Sequence, residues 1–453
     1  MELKGKKVLV VGCGKSGLGA AQLLIQAGAQ PILFDENPDL DAVALRRKEE
    51  FLADVPIFLK ALPEERIGQL DLVVASPGIP VDSPALGRFF DAGIPVWGEV
   101  ELAWNCEKGQ VAAITGTNGK TTTTALVGEI MKRHFSSVFV VGNIGTAYTA
   151  KALQTGRDSV TVAEISSFQL ETVHSFHPRV SAILNITPDH LNRHHTMENY
   201  AAVKESIAKN QTKEDFCILN YDDTRLREFA GSCPARVIWF SSQSIPEEGF
   251  FLDGDLICQT FGGKREELLN VRDMRLLGVH NYENVMAAMA IASSFGVPME
   301  EIIPAVKAFR AVEHRIEFVA EKKGVVYYND SKGTNPDAAI RGIRAMRWPT
   351  ILIGGGYDKG NDYDEWIEAF DGKVKLLVLI GQTREKIAEC ARRHGMENVV
   401  LADSFEEAME ICTENAVSGD AVLLSPACAS WGMFPNYEVR GQMFKDYVNR
   451  LEE

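Results

Sequence analysis

The chain has 453 residues, enough for two to four domains, and its 45% hydrophobic and 24% charged residues are typical of globular proteins. Lys and Arg number 47 against 62 Asp and Glu, which gives a formal net charge of −15. This excess of acid argues against non-specific nucleic-acid binding, which needs a basic face. A local pocket on an acidic protein can still attract a small anion.

No apolar run approaches the roughly 20 residues that span a bilayer. The N-terminal residues lead directly into an apolar strand, without the hydrophobic stretch of a signal peptide. The eight cysteines are scattered and form no Cys-x-x-Cys pair, which favours reduced thiols over a metal site or a disulfide framework. We therefore expect a cytoplasmic protein that binds neither nucleic acid nor membrane.

Strands and helices alternate in three successive sets, which predicts an α/β protein with parallel sheets. The first set has predicted strands at 7–11, 31–34 and 72–75 and a helix at 17–27. The second has predicted strands at 111–115, 137–141, 159–165, 180–186, 216–219 and 237–240, a hairpin at 249–260 that turns at Asp253-Gly254, and an apolar helix at 281–295. The third begins near Ala311 and has predicted strands at 325–328, 350–353, 376–380, 399–401 and 421–424.

Strand spacings of 20–30 residues fit the right-handed crossovers of parallel sheets. We place the domain boundaries near residues 97 and 311, which predicts domains at 1–97, 98–310 and 311–453.

A first glycine-rich loop, Gly-Cys-Gly-Lys-Ser-Gly at 12–17, follows the first strand and fits the pattern G-x-G-x-x-G. Glycines there let the backbone approach a diphosphate at a helix N-terminus. Asp35 lies 23 residues after Gly12, about the sequence separation at which dinucleotide-binding folds place an acid that binds ribose. The pattern alone fits NAD, FAD or another nucleotide equally well, and also a tight turn that binds nothing.

A second loop, Thr-Gly-Thr-Asn-Gly-Lys-Thr-Thr at 115–122, follows a strand and precedes a helix. Lys120 can reach terminal phosphates, and the Thr121 hydroxyl can coordinate Mg²⁺. The full P-loop pattern requires glycine where this chain has Ile114, so the loop is a shortened variant. A third loop, Gly-Gly-Gly-Tyr-Asp-Lys-Gly at 354–360, can hold an anion through backbone N–H groups and Lys359, although a plain flexible loop explains it equally well.

Polar residues follow the strands of the second set. Glu164 ends one strand, where an acid can bind the metal opposite a phosphate loop. His190 follows another strand and a proline turn, and a lone histidine is usually a surface residue. Here it shares the predicted carboxyl edge of the sheet with Lys120 and Glu164, where such sheets bind ligands. Lys204 lies 14 residues further on, in a helical stretch where a lysine is normally solvated.

Taken together, these motifs resemble the Mur ligase family, ATP-dependent amino-acid ligases of bacterial cell-wall synthesis. The resemblance covers essentially the whole chain. It rests on the phosphate loop, Glu164, the segment from Asn185 to His190, His-Asn-Tyr-Glu-Asn at 280–284 and His314-Arg315. It implies a Rossmann-like UDP-binding domain, a central P-loop ATPase-like α/β domain and a C-terminal Rossmann-like α/β domain.

Two further segments, Asn-Asp-Ser-Lys-Gly-Thr-Asn-Pro at 329–336 and Leu-Ser-Pro-Ala-Cys-Ala-Ser at 424–430, look like those of the D-glutamate-adding members. The resemblance then implies an ADP-forming acid–D-amino-acid ligase. ATP would phosphorylate the carboxylate of UDP-N-acetylmuramoyl-L-alanine, and the amine of D-glutamate would attack the acyl phosphate. Such an enzyme needs ATP and Mg²⁺ at two sites, and we expect it to be a monomer.

The resemblance also implies roles for individual residues. The catalytic group comprises Lys120, Glu164, His190 and Lys204. The ATP site comprises Gly116, Thr117, Asn118, Gly119, Lys120, Thr121, Thr122, Asn281, Asn284, Arg315 and Asp330. The substrate site comprises Gly14, Lys15, Ser16, Asp35, Ser76 and Gly78 for the uridine diphosphate, Asn143 for the muramoyl part, and Lys332, Thr334, Lys359, Ser430 and Tyr437 for D-glutamate.

The implied metal ligands are Thr121 and Glu164 for one ion and His190 and Lys204 for the other. An ammonium cannot bind Mg²⁺, and in this family the matching lysine is carbamylated, which makes it an oxygen ligand. A structural, unmodified Lys204 is the alternative.

Other functions fit part of the sequence. A nicotinamide-dependent oxidoreductase would explain the loop at 12–17 and Asp35 but not the second loop. A Mur-type ligase for a different amino acid would share most of the motifs. A folylpolyglutamate-forming relative lacks a UDP-binding first domain, and a non-catalytic nucleotide-binding protein would have no need of Lys120, Glu164, His190 and Lys204 together.

Overall fold

The structure, a computed structural model, describes residues 2–143, 145–310 and 313–452. Its strands form three sheets of five, nine and six strands. The chain forms two compact units, and the first contains the five- and nine-stranded sheets. The first unit is Met1–Leu269 with Glu283–Val306, and the second is Asn270–Tyr282 with Lys307–Glu453.

The five-stranded sheet is parallel throughout. Its strands and helices are β1 (Lys7–Val11), β2 (Gln30–Asp35), β3 (Ile57–Leu59), β4 (Leu72–Ala75), β5 (Val96–Gly98), α1 (Lys15–Gln26), α2 (Ala42–Lys48), α3 (Glu64–Ile67), α4 (Pro84–Asp91) and α5 (Glu99–Trp104). The strand order is β3-β2-β1-β4-β5, which confirms the strands predicted at 7–11 and 72–75. The prediction missed β3 and β5, because each has only three residues and therefore little periodic signal.

The nine-stranded sheet carries the second glycine-rich loop. Its strands are β6 (Gln110–Thr115), β7 (Val138–Gly142), β8 (Val160–Glu164), β9 (Val180–Ile183), β10 (Phe216–Asn220), β11 (Arg236–Ser241), β12 (Gly249–Asp253), β13 (Leu256–Phe261) and β14 (Lys264–Asn270). Its helices are α6 (Lys120–His134), α7 (Ser167–Leu170), α8 (Leu191–His194), α9 (Met197–Glu205), α10 (Thr224–Ala230), α11 (Val279–Ser294) and α12 (Met299–Ala308). The order is β14-β13-β12-β11-β10-β9-β6-β8-β7.

In this sheet β6 lies between β8 and β9, so the carboxyl ends of these three parallel strands meet at one edge. The predicted hairpin is confirmed, with β12 and β13 antiparallel and Asp253 paired with Leu256. The strand predicted at 180–186 is shorter and ends at Ile183. Leu184 still bonds to β6 through the Thr115 carbonyl at 3.0 Å, but Asn185 bonds to the loop that follows β6, since its carbonyl accepts from the Thr117 N–H at 2.9 Å.

The six-stranded sheet forms the second unit. Its strands are β15 (Glu317–Lys322), β16 (Val325–Asn329), β17 (Thr350–Gly355), β18 (Val374–Ile380), β19 (Val399–Leu401) and β20 (Ala421–Leu424), and its helices are α13 (Pro336–Ala345), α14 (Asp364–Glu368), α15 (Arg384–Arg393), α16 (Phe405–Asn415) and α17 (Tyr437–Arg450). The order is β15-β16-β20-β17-β18-β19, with β15 antiparallel to β16 and the others parallel. Ala311, the predicted start of the third domain, lies outside the described residues.

Buried apolar strands explain these sheets. The inner strands β1, β4 and β20 read as short continuous apolar runs and are buried on both faces, as parallel strands covered by helices are. One hydrophobic cluster runs through the first unit and includes side chains of both of its sheets, such as Val10 and Val111. Within the described residues, no helix combines the length and apolar composition needed to cross a bilayer.

The buried carboxylate of Glu101 on α5 joins the two sheets of the first unit. Its oxygens accept hydrogen bonds from the backbone N–H groups of His174 (2.9 Å), Ser175 (2.9 Å) and Phe176 (3.1 Å), and from the Ser175 hydroxyl. Because an ionised carboxylate only accepts hydrogen bonds, it matches this group of donors.

We therefore predict that Glu101→Gln destabilises the first unit by about 1–3 kcal/mol, since the new amide points N–H groups at N–H groups. The measurement is the midpoint of thermal unfolding by calorimetry. Glu198→Gln is the control, because Glu198 lies on the surface in an ion pair with Arg225, and exposed pairs of this kind contribute little to stability. Equal midpoints for the two variants would contradict this role of Glu101.

Candidate active site

The loop between β6 and α6 needs its glycines. Gly116 has φ 150° and Gly119 has φ 85°, in a region that side chains disfavour. A Cβ atom on Gly119 would lie 2.2 Å from the Asn284 Oδ1 atom, which places Asn284 of α11 directly against the loop. Thr121 and Thr122 follow in the first turn of α6. The glycine-rich loop therefore forms between β6 and α6, where the sequence predicted it, and Asn284 packs against it.

Asn185 holds this loop in shape. Its side-chain Oδ1 accepts from the Asn118 N–H at 2.8 Å, and its Nδ2 donates to the Asn118 carbonyl at 3.2 Å. Its backbone carbonyl accepts from the Thr117 N–H at 2.9 Å. Two backbone N–H groups and one backbone carbonyl of the loop are thus satisfied by a single residue that follows β9, which preorganises the loop.

Two lysines meet at one carbonyl oxygen of the loop. The Lys120 Nζ donates to the Gly116 carbonyl at 2.8 Å, and the Lys204 Nζ donates to the same oxygen at 2.9 Å. Lys204 is fully buried, and burial first, then the charge of Lys120, lowers its pKa from 10.5 to about 7. Two ammonium groups around one neutral oxygen create a strongly positive spot, which an anion would stabilise.

Tyr200 supports Lys204 from one helical turn earlier on α9. The Lys204 Nζ lies 4.7 Å from the centroid of the Tyr200 ring, in a cation–π contact. The Tyr200 hydroxyl is 3.1 Å from the Thr117 Oγ1, which links the helix to the loop. We did not select Tyr200 from the sequence, although its spacing of four residues from Lys204 was an available signal.

Glu164 ends β8 at the same edge of the sheet and is only 2% exposed. Its Oε1 accepts from the Asn143 side chain at 3.1 Å. The other oxygen, Oε2, is buried and has no hydrogen-bond partner among the residues that the structure describes. A buried carboxylate oxygen with an open position suits a hard cation such as Mg²⁺. Asn143, predicted to contact the substrate, thus also orients Glu164.

His190 lies at the entry of the short helix α8, with φ 51° and about half of its side chain exposed. Its ring lies 4.8 Å from that of Phe168, and its Nε2 is 3.4 Å from an oxygen of Asp189. The charge of Asp189 raises the pKa of Lys204, against the larger effects of burial and Lys120. The segment of Asp189 and His190 therefore lies within electrostatic reach of the buried lysine, but His190 itself is open to solvent.

The first glycine-rich loop follows β1. A Cβ atom on Gly17 would lie 1.8 Å from the Gly12 carbonyl, so the helix packs tightly on the turn. Asp35 accepts from the Cys13 N–H at 2.7 Å and, on its other oxygen, from the Asn37 N–H at 2.9 Å. Asp35 therefore shapes this loop.

The remaining residues predicted for the uridine diphosphate surround this loop. Ser76, at the end of β4, donates to the Gly12 carbonyl at 3.4 Å. Gly14 caps α1, while Lys15 and Ser16 lie in its first turn, and Lys15 donates to the Gly145 carbonyl. Gly78 is exposed in the loop after β4. The structure thus brings the loops after β1 and β4 together at the carboxyl edge of the five-stranded sheet.

In the second unit, Asp330 is buried at the end of β16. It accepts from the Ser425 hydroxyl at 2.7 Å and from the Ile316 N–H at 3.3 Å, and burial raises its pKa to about 7. Arg315 is exposed beside it, and Asn281 on α11 donates to the Leu277 carbonyl at 2.8 Å. These residues, predicted around ATP, therefore lie in the second unit, whereas the phosphate loop lies in the first.

The residues predicted around D-glutamate form two groups in the second unit. The Lys332 Nζ lies 5.4 Å from the centroid of the Tyr437 ring. The backbone before Lys332 is held by Arg440, a fully buried residue that donates to the Ser331 hydroxyl at 2.9 Å and to its carbonyl at 2.7 Å. Thr334 is half-buried, and its N–H donates to the Lys332 carbonyl at 2.8 Å.

The second group contains Lys359, whose Nζ lies 4.6 Å from the centroid of the Trp431 ring. Trp431 packs edge-on against Tyr357 at 5.6 Å, and the Tyr357 N–H donates to the Ala429 carbonyl at 2.9 Å. Ser430, the neighbour of Trp431, is buried. Sequence reasoning missed Arg440 and Trp431, because neither belongs to a motif and their partners are distant in the chain.

Comparisons with known proteins match the chain along most of its length. The family models described as "Mur ligase MurD-like, N-terminal domain", "Mur ligase middle domain" and "Mur ligase, glutamate ligase domain" match residues 6–98, 114–292 and 314–428. A UDP-N-acetylmuramoylalanine–D-glutamate ligase of Lachnospira eligens is 60% identical over 453 residues, covering all of both chains. One of Lachnoclostridium phytofermentans is 57% identical with the same coverage.

Solved structures agree in fold. A UDP-N-acetylmuramate-alanine ligase from Thermotoga maritima is similar with a TM-score of 0.59 at 18% identity, covering 98% of this chain and 99% of its own. A MurF ligase from the same organism, in complex with ADP, gives a TM-score of 0.57 at 18% identity, covering 99% and 96%. At this identity the likeness establishes the fold alone.

The buried Lys204 makes stability depend on pH. Its folded-state pKa lies below the unfolded value, so between about pH 7 and pH 10.5 the unfolded state binds more protons and stability rises with pH. We predict that Lys204→Met stabilises the first unit by roughly 2–5 kcal/mol below pH 7, and that this gain shrinks towards pH 10.5. The measurement is the difference in unfolding midpoint from the unaltered protein at several pH values, in CO₂-free buffer. A pH-independent difference would show that the ammonium is not destabilised by burial.

Proposed function

The chain belongs to the Mur ligase family, and from that membership we propose that it adds D-glutamate to UDP-N-acetylmuramoyl-L-alanine, with ATP converted to ADP and phosphate. The observation that carries the proposal is the full-length identity of 57–60% to ligases named for this reaction. The enzyme then acts in peptidoglycan precursor synthesis, and we place it in the cytoplasm as a monomer. We also propose that the chain has three domains with boundaries at 97/98 and 310/311.

The reaction must activate a carboxylate, which is a poor electrophile. The carboxylate oxygen of UDP-N-acetylmuramoyl-L-alanine attacks the γ-phosphorus of ATP, the bond to the β,γ-bridging oxygen breaks, and ADP leaves. The amine of D-glutamate then attacks the acyl phosphate, the carbon–oxygen bond to phosphate breaks, and the amine loses a proton as the amide forms. Phosphate is the leaving group that a free carboxylate lacks.

Lys120 and the loop after β6 act on the transferring phosphoryl group. A group that moves between two anions accumulates negative charge, which fixed cations and N–H dipoles stabilise. The ammonium of Lys120 is held at the Gly116 carbonyl, within the loop itself, and needs little rearrangement to meet a phosphate. Gly116, Thr117, Asn118, Gly119, Thr121 and Thr122 would line the phosphates, with Asn281, Asn284, Arg315 and Asp330 around the rest of ATP.

We propose two Mg²⁺ sites near this edge of the sheet. The partnerless Oε2 of Glu164 supports one site, which Glu164 would share with Thr121. His190 and carbamylated Lys204 would hold the other ion. Bound Mg²⁺ would neutralise charge between the phosphates and the carboxylate.

The lowered pKa of Lys204 supports carbamylation. CO₂ reacts with a neutral amine, and a pKa lowered to about 7 makes the neutral amine accessible near neutral pH. The product carries a negative charge, so it would exchange the repulsion between Lys204 and Lys120 for attraction. At about 4 Å and an effective dielectric near 20, one pair of unit charges interacts by about 4 kcal/mol, so the change of sign is large.

We propose that the two ends of the UDP-sugar bind the first unit. Gly14, Lys15, Ser16, Asp35, Ser76 and Gly78 would hold uridine diphosphate, and Asn143 the muramoyl part. Lys332, Thr334, Lys359, Ser430 and Tyr437 of the second unit would hold D-glutamate. Its two carboxylates need cationic donors, and Lys332 and Lys359 supply them.

Activity should require ATP, Mg²⁺ and D-glutamate together, and Lys120→Ala should lower the rate by roughly 10²-fold or more, since one preorganised charge is lost. The assay is phosphate release with UDP-N-acetylmuramoyl-L-alanine and a panel of D- and L-amino acids. Phosphate release at the unaltered rate in Lys120→Ala would refute the role of the loop. A preference for another amino acid would show a different Mur-type ligase.

Lys359→Ala should raise the KM for D-glutamate by roughly tenfold or more and leave the KM for ATP nearly unchanged, because a charge-assisted contact to one carboxylate is lost. Steady-state kinetics with each substrate varied in turn measure both constants. Lys386→Ala, an exposed lysine of the same unit paired with Asp358, is the control. A change confined to ATP would assign Lys359 to the nucleotide.

Lys204→Ala should be nearly inactive, and a small carboxylate or halide should restore part of the activity by taking the place of the carbamate. Lys204→Arg, which keeps the positive charge but cannot form this carbamate, should stay inactive. Activity and rescue are read in the same phosphate-release assay. Full activity of Lys204→Arg would make the lysine structural.

A further inference from the structure

Arg193 on α8 connects the two sheets of the first unit beside the candidate site. Its guanidinium donates to three consecutive backbone carbonyls in the loop after β4: Ile79 at 2.9 Å, Pro77 at 3.4 Å and Gly78 at 3.5 Å. This loop also contains Ser76, which bonds the glycine-rich turn after β1. Arg193 therefore restrains the backbone of the loop that is proposed to hold uridine diphosphate.

The same guanidinium, through its Nε and the Nη2 that bonds Pro77 and Ile79, also pairs with Glu171. Its Nε lies 3.1 Å from one oxygen of Glu171 and its second nitrogen 2.5 Å from the other, a two-point ion pair that is about 90% shielded from solvent. Its guanidinium carbon lies 5.0 Å from the centroid of the Phe168 ring. The Phe168 ring also lies 4.8 Å from the ring of His190, so Phe168 contacts both the guanidinium of Arg193 and the imidazole of His190.

We propose that Arg193 is a positioning residue that sets the distance between the site for the substrate's diphosphate and the site for its reacting carboxylate. The inference rests on the proposed function, because it takes UDP-N-acetylmuramoyl-L-alanine as a ligand with two anchored ends. One end would bind the loops after β1 and β4, and the other would bind near Glu164 and the loop after β6.

A ligand with two anchored ends binds tightly only when the two sites are held at the separation that the ligand spans. The second contact then forms at a high effective concentration, and loosening the connection lowers that concentration without changing either site. A guanidinium provides the planar set of donors that reaches three carbonyls and a carboxylate at once, whereas an ammonium is a point charge with three donors. Arg193→Lys keeps the ion pair with Glu171 but loses most of the hydrogen bonds to the carbonyls of the loop.

The test compares the affinities of two ligands for the full-length protein by calorimetric titration. In Arg193→Lys we expect the Kd of UDP-N-acetylmuramoyl-L-alanine to rise about tenfold or more, while the Kd of UDP changes less than about twofold. In steady-state kinetics the KM for the UDP-sugar should rise and the KM for ATP should stay unchanged. Loss of a residue that merely stabilised the fold would change the Kd of both ligands by a similar factor.

Two further variants complete the design. Arg193→Gln combined with Glu171→Gln removes both charges together, so no buried carboxylate is left unpaired. In this double variant too, the Kd of the UDP-sugar should rise while the Kd of UDP stays nearly unchanged. Arg225→Lys is the matched control, an arginine of the same domain paired with Glu198 on the surface. It should leave both affinities unchanged.

Equal weakening of UDP and of the UDP-sugar would overturn the inference, since Arg193 would then shape only the diphosphate site. Unchanged affinity for both ligands would overturn it as well. If the unaltered protein binds the UDP-sugar but forms no product with D-glutamate, the proposed function fails while the comparison of affinities still decides the role of Arg193.

Discussion

The candidate site depends on the oxygen of Gly116, where the ammonium groups of Lys120 and Lys204 converge at 2.8 and 2.9 Å. Like charges so close together in a buried place are unfavourable unless the charge is removed or compensated. Burial and Lys120 therefore move the pKa of Lys204 to about 7. This single constraint favours an anion beside the two lysines.

The geometry of the parallel sheet creates that constraint. Because β6 lies between β8 and β9, the glycine-rich loop, Glu164 and Asn185 emerge at one edge although they are far apart in the chain. Asn185 then fixes the backbone of the loop with three hydrogen bonds, and Glu164 has one oxygen engaged by Asn143 and one without a partner in the described structure. The glycine-rich loop and the buried carboxylate of Glu164 thus meet at one edge of the sheet, where open α/β sheets bind ligands.

Support for these groups comes from residues that belong to no motif. Tyr200 lies beneath the ammonium of Lys204, Arg440 holds the backbone ahead of Lys332, and Trp431 lies against Lys359. Arg193 connects the loop after β4 with Glu171. In each case a planar side chain restrains a flexible or charged neighbour, which reduces the entropy lost when a ligand binds.

The sequence by itself determined the α/β class, most of the inner strands, the hairpin at Asp253 and the family, because apolar strands, glycine turns and short motifs are local signals. It did not reveal the edge strands β3 and β5, whose three residues are too short for a periodic pattern. It also placed the end of β9 too late, since Asn185 bonds to Thr117 in the loop after β6.

Only the tertiary structure decided that Lys204 donates to a carbonyl 88 residues away, that Arg193 reaches three carbonyls more than 110 residues away, and that Glu164 is almost fully buried. Sequence establishes which charges are available, but their pKa values and partners depend on burial and on distances between segments remote in the chain. Those quantities exist only once the sheets have brought the segments together.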